Sequence, residues 1–225
     1  MYTDDEELEG LPPAEAYRRA KVEHFLQHVR EYVEMGRYLA ARKTLETVLS
    51  LDRENEEAKN HCQFVDDFLA KALHRNQNGH SGNNGGSNGP LKQRRSELVM
   101  IVDQDERLLV SLTGTLRRYG FMAIAASSYD EAVESYAMVK PDVVISEVNF
   151  DTGPRGFDLY LWLKTNSGNE DLPFLFLATR IDRDTLIAGK RFGVDDLILK
   201  PVDDDVVIAS VINSLSRRKT MPVHT

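Results

Sequence analysis

Five short apolar runs follow one another in the second half of this chain: 98–102, 121–125, 143–148, 172–178 and 196–199. Each is too short and too continuous for a surface helix, and a strand with no polar face must be covered on both sides. The intervening stretches predict helices. One runs over 107–119 and stops at Gly120. A second opens at Ser128 and runs to Val139. A third follows Gly156 through Lys164, a fourth covers 184–192 up to Gly193, and a fifth runs from Asp203-Asp-Asp205 to Arg217. Ser128-Tyr-Asp-Glu131 has the capping-box pattern, in which serine and glutamate satisfy free backbone amides at a helix start. The acids at 203–205 suit the positive end of a helix dipole. Strand and helix alternating five times predict an α/β domain built on a parallel, doubly wound sheet.

Upstream the pattern changes. Residues from Asn76 to Gly89 are glycine, asparagine and serine with hardly anything else, and contain no aliphatic or aromatic side chain. Such a stretch buries too little apolar surface to offset the entropy of ordering, so it reads as a flexible tether. The expected organisation is a small all-α module at 1–75, a linker at 76–97, the α/β domain at 98–218 and a tail at 219–225. In the module, apolar residues recur near a 3.6 period over Ala14–Met35, including Tyr17, Val22, Leu26 and Val29, and Gly36 ends the helix. A second helix is expected from Tyr38 to Leu51. Asn55 opens a third, with Ala58, Cys62, Val65, Leu69 and Ala72 on one stripe. Residues 22–55 resemble a single tetratricopeptide-type repeat at Tyr32, Gly36, Tyr38, Ala41, Leu45, Val48, Leu51 and Asp52. Repeats of that kind stack to close their cores. One repeat with a capping helix therefore implies an interaction module for a second protein, with a self-contained three-helix bundle as the alternative.

A net charge of −8 argues against a nucleic-acid surface, which needs a basic patch. No apolar run reaches the roughly 20 residues of a membrane span. The single cysteine, Cys62, excludes an intramolecular disulfide and, with an acidic N-terminus unlike a signal peptide, points to the cytoplasm. His24 and His28 stand one helical turn apart but lack a third ligand nearby in sequence. No Walker-type phosphate loop or nucleophile elbow is present, so no enzymatic turnover is expected.

Chemistry gathers at three strand ends. Leu98–Val102 runs into Asp103-Gln104-Asp105, Pro141-Asp-Val-Val-Ile-Ser-Glu147 ends in a carboxylate, and the last run ends in Lys200-Pro201. This set, over 98–218, resembles the response-regulator receiver domain of two-component signalling. The resemblance implies the flavodoxin-like strand order 2-1-3-4-5, with a site beyond the strand ends between strands one and three. It also implies a cis Lys200–Pro201 bond, which an X-Pro peptide permits. In an intact receiver two acids after strand one and an aspartate after strand three bind Mg²⁺, and that aspartate accepts a phosphoryl group.

Here the pattern departs from the family. Asp103 keeps the first acid, Gln104 replaces the second, and Asp105, at the helix start, points elsewhere. Glu147 stands at the phosphoacceptor position. Its extra methylene moves the carboxylate by about 1 Å or more, a displacement able to slow in-line attack about 10²-fold. Ala178 holds the switch position, followed by Thr179, and Leu197 replaces the usual aromatic. The loop at 150–155 is one residue longer than usual. A Mg²⁺ site at Asp103 and Glu147 is expected to be weak or lost, since the ion favours carboxylates in octahedral geometry. Lys200 is expected to pair with Asp103, Glu147 or both. Two readings stand: Glu147 reaches Lys200 and holds the pocket, or it is a solvated acid in a vestigial one. The resemblance implies an atypical response regulator that binds signalling proteins, a histidine kinase or downstream effector, through about Asp184 to Arg217. A working phosphoacceptor in a phosphorelay and a dimerising scaffold are the alternatives.

Overall fold

The structure, a computed structural model, describes residues 12–77, 97–166, 171–181 and 183–220. The chain divides into two compact units, Met1–Leu69 and Ala70–Thr225.

The first unit is helical. α1 (Pro13–Met35) and α2 (Tyr38–Leu51) are joined by Gly36, whose φ of 81° no side-chain-bearing residue adopts easily; Arg37 N returns to Tyr32 O at 2.8 Å. Val22, Leu26 and Val29 of α1 and Ala41, Leu45 and Val48 of α2 are buried. Tyr17, apolar and in the same run, is 68% exposed, because at about 100° per residue it points to a different side of α1 from Val22, Leu26 and Val29. α3 (Glu56–Gln77) starts where Asn55 Oδ1 accepts from Ala58 N at 2.9 Å. Its Phe68 packs on Tyr38 with ring centroids 4.0 Å apart.

The second unit holds a five-stranded sheet in the order β2-β1-β3-β4-β5, with every neighbouring pair parallel. The strands are β1 (Leu98–Val102), β2 (Met122–Ala126), β3 (Val143–Glu147), β4 (Phe174–Ala178) and β5 (Asp196–Leu199). β1, β3 and β4 are buried along their whole length, as continuous apolar runs require when helices cover both faces. β5, at the edge, is largely open.

Three of the connecting helices begin at a residue whose side chain caps them. Asp105 Oδ1 accepts from Arg107 N and Leu108 N at the start of α4 (Glu106–Arg118). Ser128 Oγ accepts from Glu131 N at α5 (Tyr129–Val139), while Glu131 Oε2 reaches back to Ser127 N at 2.8 Å. Asp203 Oδ1 takes the amides of Asp205 and Val206 at α8 (Asp204–Thr220). α6 (Gly156–Asn166) and α7 (Arg183–Phe192) complete the alternation.

The elements differ from expectation only at their ends, by one to three residues. α3 runs to Gln77, two residues into the stretch that composition marks as a tether, because its helical pattern continues past the first asparagine. The rest of that stretch, 78–96, lies outside the described residues. α8 likewise extends to Thr220, past the expected domain end at 218, and the remaining tail lies outside the described residues.

Candidate functional site: a lysine between two buried carboxylates

β1 and β3 are neighbours, so their C-terminal ends bring Asp103 and Glu147 to one crevice. β4 carries β5 alongside, and Lys200 N donates to Ala178 O at 2.8 Å, which turns the lysine side chain toward that crevice. Lys200 Nζ lies 2.6 Å from Asp103 Oδ2 and 2.5 Å from Glu147 Oε2. Asp103 and Glu147 are 2% and 6% exposed, so Glu147 is not a solvated acid. Its longer side chain folds inward onto the ammonium.

The other two carboxylate oxygens are also held. Asp103 Oδ1 accepts from Asp105 N at 2.9 Å, and Glu147 Oε1 accepts from Asn149 N at 3.0 Å. All four oxygens of the two acids therefore accept from a donor within the chain. Beside them, Gln104 Oε1 accepts from Asp151 N at 2.5 Å, which joins the end of β1 to the loop after β3.

The electrostatics follow from burial. Desolvation pushes the Asp103 carboxyl above its ordinary value, and the hydrogen bonds from Lys200 and Asp105 N oppose that rise. Desolvation works against the Lys200 ammonium too, but its bonds to Asp103 and Glu147 outweigh it, and the lysine ends above its ordinary value. One geometry gives both directions. The acid is the more buried partner and loses more hydration, while the lysine gains two anionic partners at once.

The family of Response regulator receiver domains matches residues 99–212. This chain belongs to the response regulator receiver family. Among curated relatives, the receiver is 25% identical over 119 residues to the sensory transduction protein BceR of Halalkalibacterium halodurans, covering 53% of this chain and 50% of that one. It is 29% identical over 119 residues to the uncharacterized transcriptional regulatory protein YvcP of Bacillus subtilis, covering 53% and 48%. The chain thus spans about half the length of these relatives. Over 113 residues it is 26% identical to protein PilH of Pseudomonas aeruginosa, covering 50% of this chain and 93% of that one. Among solved structures, the signal receiver domain of a signal transduction histidine kinase from Syntrophus aciditrophicus aligns with a TM-score of 0.50 and 26% identity, over 57% of this chain and 97% of that chain. Receiver domains are generally non-enzymatic signalling modules of two-component systems, and they interact with histidine kinases and effectors.

Within this receiver the remaining family positions lie on β4, just after it, and on β5. Ala178 ends β4, buried and without a hydroxyl to turn toward the pocket, and Thr179 beyond it is exposed. Leu197 is half-buried on the edge strand, in register with Phe176. The Lys200–Pro201 bond is cis.

Mg²⁺, which the family implies, does not fit the donors present. Gln104 offers an amide where a carboxylate is needed, and its oxygen is engaged by Asp151 N. The two acids each spend one oxygen on Lys200 and the other on a backbone amide. Among the described residues no group of three or more His, Cys, Asp or Glu is placed to hold a metal ion.

Reading the sequence missed the backbone donors at Asn149 and Asp151 and the part played by Gly156. A Cβ at Gly156 would stand 2.1 Å from Glu147 O, so only glycine lets the start of α6 lie against the end of β3. Gly156 N donates to Val148 O at 2.9 Å and closes the loop between them. A glycine opening a helix directly after a loop was the available signal.

Proposed function

We propose that this chain is an atypical response regulator that works by protein–protein binding, without phosphoryl transfer at Glu147. The observation that carries this reading is that each of the four oxygens of Asp103 and Glu147 already accepts from a donor of the chain itself. Lys200, which contacts the phosphoryl group in an intact receiver, is already engaged by both acids. An incoming Mg²⁺ or phosphoryl group would have to displace it.

The contact surface is α7, β5 and α8, within about Asp184 to Arg217. Leu186, Phe192, Leu199, Val206 and Ile212 are exposed there and offer apolar side chains that a partner would cover. A histidine kinase or an effector is the partner class that this surface would serve. The helical module at 1–75 acts as a second interaction module, and the protein works in the cytoplasm without turnover.

Titration with Mg²⁺, with and without beryllofluoride, tests the reading when followed by amide NMR shifts. The wild type is expected to stay silent, while a Gln104→Asp, Glu147→Asp double variant responds near Asp103, Ala178 and Lys200. A saturable wild-type response at those residues would overturn the proposal and restore a phosphate-regulated switch.

A further inference from the structure

The loop after β3 is tied at several points. Asn149 N donates to Glu147 Oε1 at 3.0 Å, Asp151 N to Gln104 Oε1 at 2.5 Å, and Gly156 N to Val148 O at 2.9 Å. The first and third ties are local. The second spans 47 residues and crosses from the end of β1 to the end of β3, which is the crevice where this fold opens its site.

From these contacts, and resting on the reading of the pocket given above, we infer that Gln104 is a positioning residue that straps the β3–α6 loop to the end of β1 at the mouth of the crevice. The reach of the side chain decides this role. Asp or Asn at 104 would end one carbon–carbon bond, about 1.5 Å, short of the Asp151 amide. A side chain of glutamine length places a neutral acceptor there without adding a third negative charge beside Asp103 and Glu147. One replacement thus removes an acid from the usual set and supplies the tie that holds the loop.

The strap acts on the loop and the ion cluster acts on the floor of the pocket, so the two separate experimentally. Hydrogen exchange at the Asp151 amide of the full chain reads the strap directly. Gln104→Ala is expected to speed exchange there by about fivefold, in line with the net worth of one neutral hydrogen bond. Gln104→Asn is expected to behave like Gln104→Ala, being too short, whereas Gln104→Glu keeps the acceptor in reach and retains protection. The amides of Met100 and Val144, inside neighbouring strands, serve as controls that the sheet is intact. Equal exchange at Asp151 in wild type and Gln104→Ala would overturn the strap, and so would full protection in Gln104→Asn. Neither result touches the pocket reading, which fails only if the wild type itself responds to Mg²⁺ and beryllofluoride.

Discussion

Among the described residues, a cation held between two carboxylates occurs in each unit, at Arg30 and at Lys200, and these two clusters differ in burial. In the helical unit Arg30 Nε and Nη2 grip Glu57 at 2.8 and 2.9 Å, and Nη1 reaches Glu23 at 2.9 Å. The side chains of Arg30, Glu57 and Glu23 are 40, 40 and 59% exposed. In the receiver Lys200 holds Asp103 and Glu147 at nearly the same distances, with exposures of 18, 3 and 8%. The charge count is the same and the exposures are far apart, so solvent is expected to set the consequence. Water already stabilises each charge of the first cluster, and its Arg30–Glu57 pair ties α1 to α3 weakly. In the second cluster the acids have lost most of their water, and the lysine is what makes two adjacent buried negative charges tolerable.

The sharpest way to break this comparison is to remove the cation from the buried cluster. Lys200→Met leaves Asp103 and Glu147 facing each other without a counter-charge, and is expected to destabilise the second unit by about 3–5 kcal/mol. Urea unfolding followed by the fluorescence of Trp162, the single tryptophan, on α6, reads that unit. A loss below about 1 kcal/mol would place this cluster in the same class as the exposed one.

That contrast was only partly legible beforehand. Strand runs bounded by polar residues disclosed the sheet, and the strand ends disclosed which charges would meet, because a parallel sheet delivers all its C-termini to one edge. A pairing of Lys200 with one or both acids followed from that topology. What the sequence withheld depends on the path of the backbone over a few ångströms. Whether Glu147 turns inward or toward water is decided by Asn149 N taking one of its oxygens, and no periodicity encodes that turn. The tie from Gln104 to Asp151 joins residues far apart in the chain through a loop of irregular structure. Tyr17 shows the opposite failure: it is apolar and close in sequence to the buried stripe, yet the helical turn carries it to another side of α1 and leaves it exposed.

Alkaline titration gives a smaller effect and sharpens the same comparison. Lys200 is raised above the ordinary 10.5 in the folded state, its bonds to Asp103 and Glu147 outweighing desolvation. A cationic group with a raised folded value contributes fully below its unfolded value, and that contribution is lost as pH rises through the folded one. Wild-type stability is therefore expected to fall more steeply above about pH 10.5 than that of Lys200→Met, with the other lysines and tyrosines titrating in both. Urea midpoints measured across that window check it, and parallel slopes would show that Lys200 carries no linked stability.

The exposed cluster supplies the smallest effect. Hydrogen bonding from Arg30 holds the Glu57 carboxyl below its ordinary 4.5, so any contribution is present above that value and lost as pH falls through the depressed one. With both side chains 40% exposed, solvent screens most of it despite the two-point grip. A double-mutant cycle on Arg30→Ala and Glu57→Ala, read by hydrogen exchange in α1 and α3, is expected to give a coupling below about 1 kcal/mol that shrinks further with added salt. A salt-insensitive coupling of several kcal/mol would mean that the paired fork of an arginine can do in water what the receiver lysine does only because its partners are buried, and geometry would then outrank burial in separating the two clusters.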